Sequence, residues 1–223
     1  MLFRSLEAHS AEAIDQFWGL GAIAAIPAGK SVIKGDGKIP YLPKALEQRN
    51  KNRAEWPEAD PEAKCYMLGI PRYTYSGRPF NILQGDKDIT MVYPFAAGTR
   101  YIWMGSKQRD PVDSWMGRSN GRWEGDDLII ETADMNDQTM LDRAGNFHSN
   151  GLKVTERFHP IDSTHIMYEA TFQDPQTYTA PWTIEMPLYR LIDENVETLE
   201  YKCVEYADML LYRDLIGPNR PKP

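Results

Sequence analysis

From residue 73 onward the chain is built of strand-length segments in which every second residue is apolar, and this constrains its fold more than any other feature. Successive side chains on a strand face opposite sides, so such a segment buries one face and wets the other. In residues 152–158 one face carries Leu152, Val154, Glu156 and Phe158, while Lys153, Thr155 and Arg157, continued by His159, occupy the other. Residues 80–106 give three short candidate strands separated by Gly-Asp and Ala-Ala-Gly turns. Residues 126–135 follow a Glu-Gly hairpin signal. Residues 152–174 hold two strands around the turn HPIDST, and residues 182–191 and 198–206 are joined by IDENVE. The reading is mainly β, an antiparallel meander that closes into a barrel, because closure removes the exposed edges of a sheet.

The rest of the chain divides around this sheet. Residues 1–65 read as a helical and irregular arm, 66–210 as the barrel domain and 211–223 as a tail. In residues 2–17, Leu2, Leu6, His9, Ala13 and Phe17 recur at helical spacing, and residues 44–56 read as a second, polar helix stopped by Pro57. The arm has too few apolar positions for a core of its own. It is expected to lie outside the barrel or across a subunit interface, which makes a homo-oligomer, simplest as a dimer, an expected partner state.

Composition removes several function classes. The 223 residues carry 32 acidic against 25 basic side chains, a net charge of −7, which argues against a general nucleic-acid or anionic-membrane surface but leaves room for a local basic pocket. The longest apolar run, residues 18–28, contains Gly and Pro and is too short to span a bilayer. Glu7, Glu12 and Asp15 sit where a secretion signal would be basic, so a cytoplasmic location is expected. Cys65 and Cys203 match no metal spacing. They are either one disulfide in an oxidising compartment or two reduced, buried thiols, and the cytoplasmic reading goes with the second.

Residues 115–159 read as strand, polar loop, strand, and concentrate the chain's chemistry. Glu156 shares a face with core residues, where an unpaired carboxylate is expensive. It calls either for an arginine such as Arg122 or Arg143 across the sheet, or for a ligand. Of the four histidines, His148 lies in the loop DRAGNFHSNG, six residues after Asp142 and eight before Glu156. An imidazole beside carboxylates is suited to acid–base work near neutral pH. The catalytic candidates are therefore His148, Glu156, Asp142 and Arg157. A regular strand cannot send both Glu156 and Arg157 inward, so either a bulge near Thr155 turns one of them or one lies outside. Substrate contacts are expected from Arg72 and Arg143 and from an aromatic wall of Tyr168, Tyr178, Trp182 and Tyr201. Glu205 shares the apolar row of Tyr201 and Cys203. The bland alternatives are a structural ion pair at Glu156, a solvated Glu205 and Arg157, a Trp182 that is plain core, and a His148 loop held by hydrogen bonds alone. A metal on His148, Asp142 and Glu156 would lack the second histidine such sites use, so neither metal nor cofactor is expected.

In order and spacing, the segments WMGRSNGRWEGDDLIIET, NDQTMLDRAGNFHSNGLKVTERF, DPQTYTAPWTIEMPLYR and LEYKCVEY, with CYMLGIPR at residues 65–72, resemble a large family of mostly uncharacterised bacterial proteins. The resemblance covers residues 60–206 and implies a lipocalin-like barrel. More weakly, the chain is similar to cofactor-free decarboxylases that act on lignin-derived aromatic compounds. That similarity implies a cofactor-independent lyase in which an arginine holds a small aromatic acid and His148 or Glu156 delivers a proton. The contrasting reading is a lipocalin-like carrier of a small apolar ligand. Ionisable groups converging on one cavity favour the enzyme, and a uniformly apolar cavity favours the carrier.

Overall fold

The computed structural model describes residues 17–19 (backbone only), 33–76, 78–85, 87–190 and 201–207. Nine strands, β1 (Phe17–Gly19), β2 (Phe80–Gln84), β3 (Asp88–Tyr93), β4 (Gly98–Met104), β5 (Arg118–Glu124), β6 (Asp127–Ala133), β7 (Lys153–Pro160), β8 (His165–Gln173) and β9 (Trp182–Arg190), form a closed barrel in chain order. The short β1 pairs with both β2 and β9 and closes the gap between them. Part of the arm is thus a stave of the barrel, where the whole arm was expected outside. The helix expected at residues 2–17 lies, but for its last residue, outside the described residues, as does the 211–223 tail.

All neighbouring strands run antiparallel except β4 and β5, which are parallel. A parallel pair needs a crossover rather than a hairpin. Residues 105–117 supply it without a helix, docking through Ser114 N to Asp134 O at 2.9 Å and Asn136 N to Ser114 O at 2.8 Å. The strand expected at 198–206 is absent over the described residues 201–207, which are irregular. There Cys203 is bridged to Cys65, with the sulfur atoms 2.08 Å apart, so the disulfide and not the reduced pair is what forms.

Alternation sets the interior as expected on β7, where Val154, Glu156 and Phe158 are buried, and on β9, where Trp182, Ile184, Met186 and Leu188 are buried. β8 adds Ile166, Tyr168, Ala170 and Phe172. The polar helix α1 (Pro43–Ala54) starts with proline at its first turn and ends on Lys51 and Arg53, both placements that suit a helix terminus. It buries only Ala45 and Asn52 and lies against the loop of residues 139–152. The fit is close at Gly145 (φ +85°), where a Cβ would come within 2.6 Å of Arg49 O and Arg53 N.

Candidate functional site

The ionisable centre of the barrel is Glu156. Its carboxylate accepts a hydrogen bond from Tyr168 Oη at 2.8 Å and a two-pronged contact from Arg100, through Nη1 at 3.2 Å and through Nη2. Arg100 also donates from Nε to Ser119 Oγ at 2.8 Å and from Nη2 to Thr132 Oγ1 at 2.7 Å. Arg100 is 1 % and Glu156 0 % exposed, so the pair is withdrawn from water. The partner is therefore Arg100 on β4, and neither Arg122 nor Arg143. Arg122 is an outer residue held by Glu124 and Glu131, and Arg143 holds Glu62.

β7 keeps an unbroken register against β6 and β8, with Glu156 opposite Ile130 and Arg157 opposite Ile129. No bulge turns Arg157 inward. It sits on the outer face, 43 % exposed, donating from Nε to Asp127 Oδ2 at 2.7 Å. Arg157 and Glu156 thus face opposite sides of the sheet.

His148 is buried away from both. Its Nε2 meets the Thr139 hydroxyl at 2.7 Å and its Nδ1 meets Ser149 O at 2.8 Å. A carbonyl can only accept, so Nδ1 carries the proton and Nε2 accepts from Thr139. Burial pushes the imidazole below its ordinary pKa, against smaller opposing effects from Ser149 O and the charges of Asp174 and Asp137. Thr139 fills the space beside Gly69 (φ +73°), where a Cβ would lie 2.6 Å from its Oγ1. Asp142 turns into its own loop and accepts from Ala144 N at 2.9 Å, Asn146 N at 3.1 Å and Asn146 Nδ2 at 2.6 Å. Tyr75 Oη to Leu141 O at 3.0 Å and Tyr178 Oη to Phe147 O at 2.7 Å fasten the same loop to the barrel. The expected acid–base group of His148, Asp142, Glu156 and Arg157 is therefore dispersed over a loop, the interior and the outer face.

The expected substrate contacts divide in the same way. Tyr168, Tyr178 and Trp182 belong to the core, with Trp182 stacked on Phe172 at 4.1 Å. Tyr201 lies outside the barrel, half exposed against Phe95, and Glu205 is exposed on an irregular segment. Arg72 is buried and committed to Asp60 through Nη1 (2.8 Å) and Nη2 (2.9 Å), and to Glu62 through Nη2 (2.5 Å). Burial raises the Glu62 pKa, but Arg143, Arg72 and Arg78 outweigh it and hold the carboxyl down at about 2.

Two concavities lie outside the barrel interior. One, of about 620 Å³, runs over the outer faces of β5, β6 and β7 under the 105–109 loop, between Lys107, Arg109, Arg118, Arg122 and Lys153. Arg109 is neutralised by Asp134, and its hydrogen bonds, with the Asp110 amide and the charges of Arg109 and Lys153, hold Asp134 below the usual carboxylate range despite some opposing burial. Lys107 and Lys153 form no ion pair among the described residues. Arg118 stacks 4.8 Å over the exposed Trp103 and reaches Asn120, Asp110, Ser106 and Gln108 only at 3.4–3.5 Å. The sequence reading missed both Arg100 and this cationic groove; its nearest signal was the allowance for a local basic pocket. The second concavity is a smaller cavity beside the disulfide. Among the described residues no three His, Cys, Asp or Glu side chains are grouped to hold a metal, and no helix is long and apolar enough to cross a membrane.

No protein-family model, curated protein or solved structure matches the chain, so the motif resemblance has no independent match behind it.

Proposed function

We propose that this barrel is a binding protein for a small organic anion, held in the groove on the outer faces of β5–β7. The observation that carries the reading is the set of cations there without close partners among the described residues: Lys107 and Lys153 in no ion pair, and Arg118 held only by contacts of 3.4–3.5 Å. By contrast, Arg109, Arg122 and Arg157 are tied to carboxylates. A volume of about 620 Å³ falls within the range of small-molecule sites. Trp103 under Arg118 offers an aromatic surface at the rim, which favours an aromatic acid. No histidine or cysteine lines the groove, which suits it to recognition rather than proton transfer.

The test is titration with 4-hydroxycinnamate and 4-hydroxybenzoate against the corresponding neutral alcohols, at low and high salt. The acids should bind at least tenfold tighter, and the preference should shrink in Lys107→Ala/Lys153→Ala. Equal binding of acids and alcohols would end this reading.

A cofactor-independent lyase acting on such an acid is the second reading. It is favoured by the chain of Tyr168 hydroxyl, Glu156 carboxylate and Arg100 guanidinium inside the barrel, an acid–base system that a substrate entering the barrel would meet. Assaying the same acids for product separates the two, with Glu156→Gln abolishing any genuine turnover. The Cys65–Cys203 bridge suits an oxidising compartment better than the cytoplasm. Oligomerisation through the N-terminal arm is a separate proposal, read by light scattering.

A further inference from the structure

We infer that the small cavity beside the Cys65–Cys203 bridge is a second anion site, one that takes the carboxylate of a small acid on the free edge of the Arg78 guanidinium. The cavity, about 50 Å³, is framed by Trp56 and Pro57 after α1, by Asp60 and Glu62 of the turn Pro61–Lys64 and its cap, by Phe95, and by residues of the 201–207 segment. At roughly 10–15 Å³ for each water position, it has room for three or four non-hydrogen atoms, the size of acetate or of the head of a larger acid.

The argument rests on donors and acceptors. Arg78 Nη2 donates to Glu62 Oε1 at 3.0 Å, and its Cζ lies 4.4 Å over the Phe95 ring and 5.2 Å from that of Tyr201. With rings against its face, a guanidinium can gain further hydrogen bonds only at its edge. Nη1, on that edge, is buried and has no partner. A buried donor on a charged group left in this state is costly and calls for an acceptor.

The neighbouring carboxylates cannot supply one. Glu62 Oε1 already receives Arg78 and Arg143, and Oε2 receives Arg72 and Arg143. Asp60 is taken by Arg72 and by the Glu62 amide. Asp142 adds a negative field at Arg72 but accepts hydrogen bonds from its own loop. One further anion of carboxylate size would satisfy Nη1, while Phe95, Tyr201 and Val204 form a partly apolar wall suited to its hydrocarbon end. The bridge, with Tyr206 N donating to Ala63 O at 2.7 Å, holds that wall in place.

The test uses the whole chain with Lys107→Ala/Lys153→Ala in the background, which weakens the groove proposed above, and separates the two readings by whether the responding residues are 78, 95 and 201–207 or those of the groove. Acetate, acetamide and inorganic phosphate are titrated while protein amide signals are followed by NMR. Acetate should saturate with one site and shift residues 78, 95 and 201–207, with acetamide at least tenfold weaker. Arg78→Met should abolish the response. Arg78→Lys, which keeps the charge and the fold but loses the planar edge, should weaken it at least threefold. Equal binding of acetate and acetamide, full binding in either variant, a preference for phosphate, or no saturable response would each overturn the proposal, the last by leaving a site for water only.

Discussion

Replacing Glu156 by glutamine tests how the barrel is held. The substitution keeps the side-chain shape and removes the one anion that faces Arg100 across the interior. Arg100 would be left 1 % exposed, with the hydroxyls of Ser119 and Thr132 and one neutral amide oxygen as acceptors. Removing one partner of a buried ion pair costs about 3–5 kcal/mol, because the other charge stays dehydrated. The amide oxygen can still accept from Tyr168, which places Glu156→Gln near the lower end. For a domain of this size each kcal/mol moves the melting point by roughly 2–4 °C, so a fall of about 6–12 °C is expected. Joint replacement, Arg100→Met with Glu156→Leu and Tyr168→Phe, should return to within about 1 kcal/mol of the parent, since an apolar group carries no desolvation cost and no buried hydroxyl is left unpaired. Ser119 and Thr132 stay satisfied in that variant because their hydroxyls already bond each other at 2.9 Å. Urea unfolding followed by circular dichroism and tryptophan fluorescence, with the disulfide intact, gives all three free energies. The reasoning fails if Glu156→Gln loses less than about 1 kcal/mol, or if the joint variant loses as much as Glu156→Gln does.

Two further outcomes follow from the loop lock. The folded state holds the His148 imidazole neutral and below its ordinary pKa, whereas the unfolded chain takes up its proton near pH 6.5. Its contribution is therefore complete above that value and is lost as pH falls toward the lowered folded pKa. The stability difference between parent and His148→Gln should shrink between pH 7 and 5, and a constant difference would remove His148 as the cause. Gly69→Ala should cost about 1–3 kcal/mol by thermal melt, since φ is +73° and the new methyl meets Thr139 Oγ1 at 2.6 Å; a neutral result would mean the Thr139–His148 contact is loose.

How much of the fold could be read in advance varied strand by strand, for physical reasons. β7 and β9 alternate strictly, so their inward faces were legible. β4 alternates too, but its larger aromatics, Tyr101 and Trp103, are on the exposed side, and its inner face carries Arg100. Hydrophobicity alone points that strand the wrong way. On β5 the fully buried residues are Ser119 and Gly121, too small to register as a core face, with Trp123 only partly buried beyond them, and Ser119 accepts a hydrogen bond from Arg100. Residues 201–207 imitate a strand by alternation, yet the covalent link of Cys203 to Cys65 draws them onto the Pro61–Lys64 turn.

The site was less legible because nearness in sequence stood in for nearness in space. His148 and Glu156 are eight residues apart, but between them the chain passes from the loop of residues 139–152 into a strand, and the imidazole spends both nitrogens before any substrate could use them. Glu156 was correctly marked as a carboxylate in need of a partner. That partner, Arg100, lies 56 residues earlier and is visible only once β4 and β7 share an interior. The cationic groove has the same character, since Lys107, Arg118 and Lys153 come from a crossover and two strands. The net charge of −7 concealed it, because net charge bears on solubility and long-range steering, while recognition depends on which charges are left unpaired at one place. By that measure the places proposed for an anion are the groove around Arg118 and the edge of Arg78.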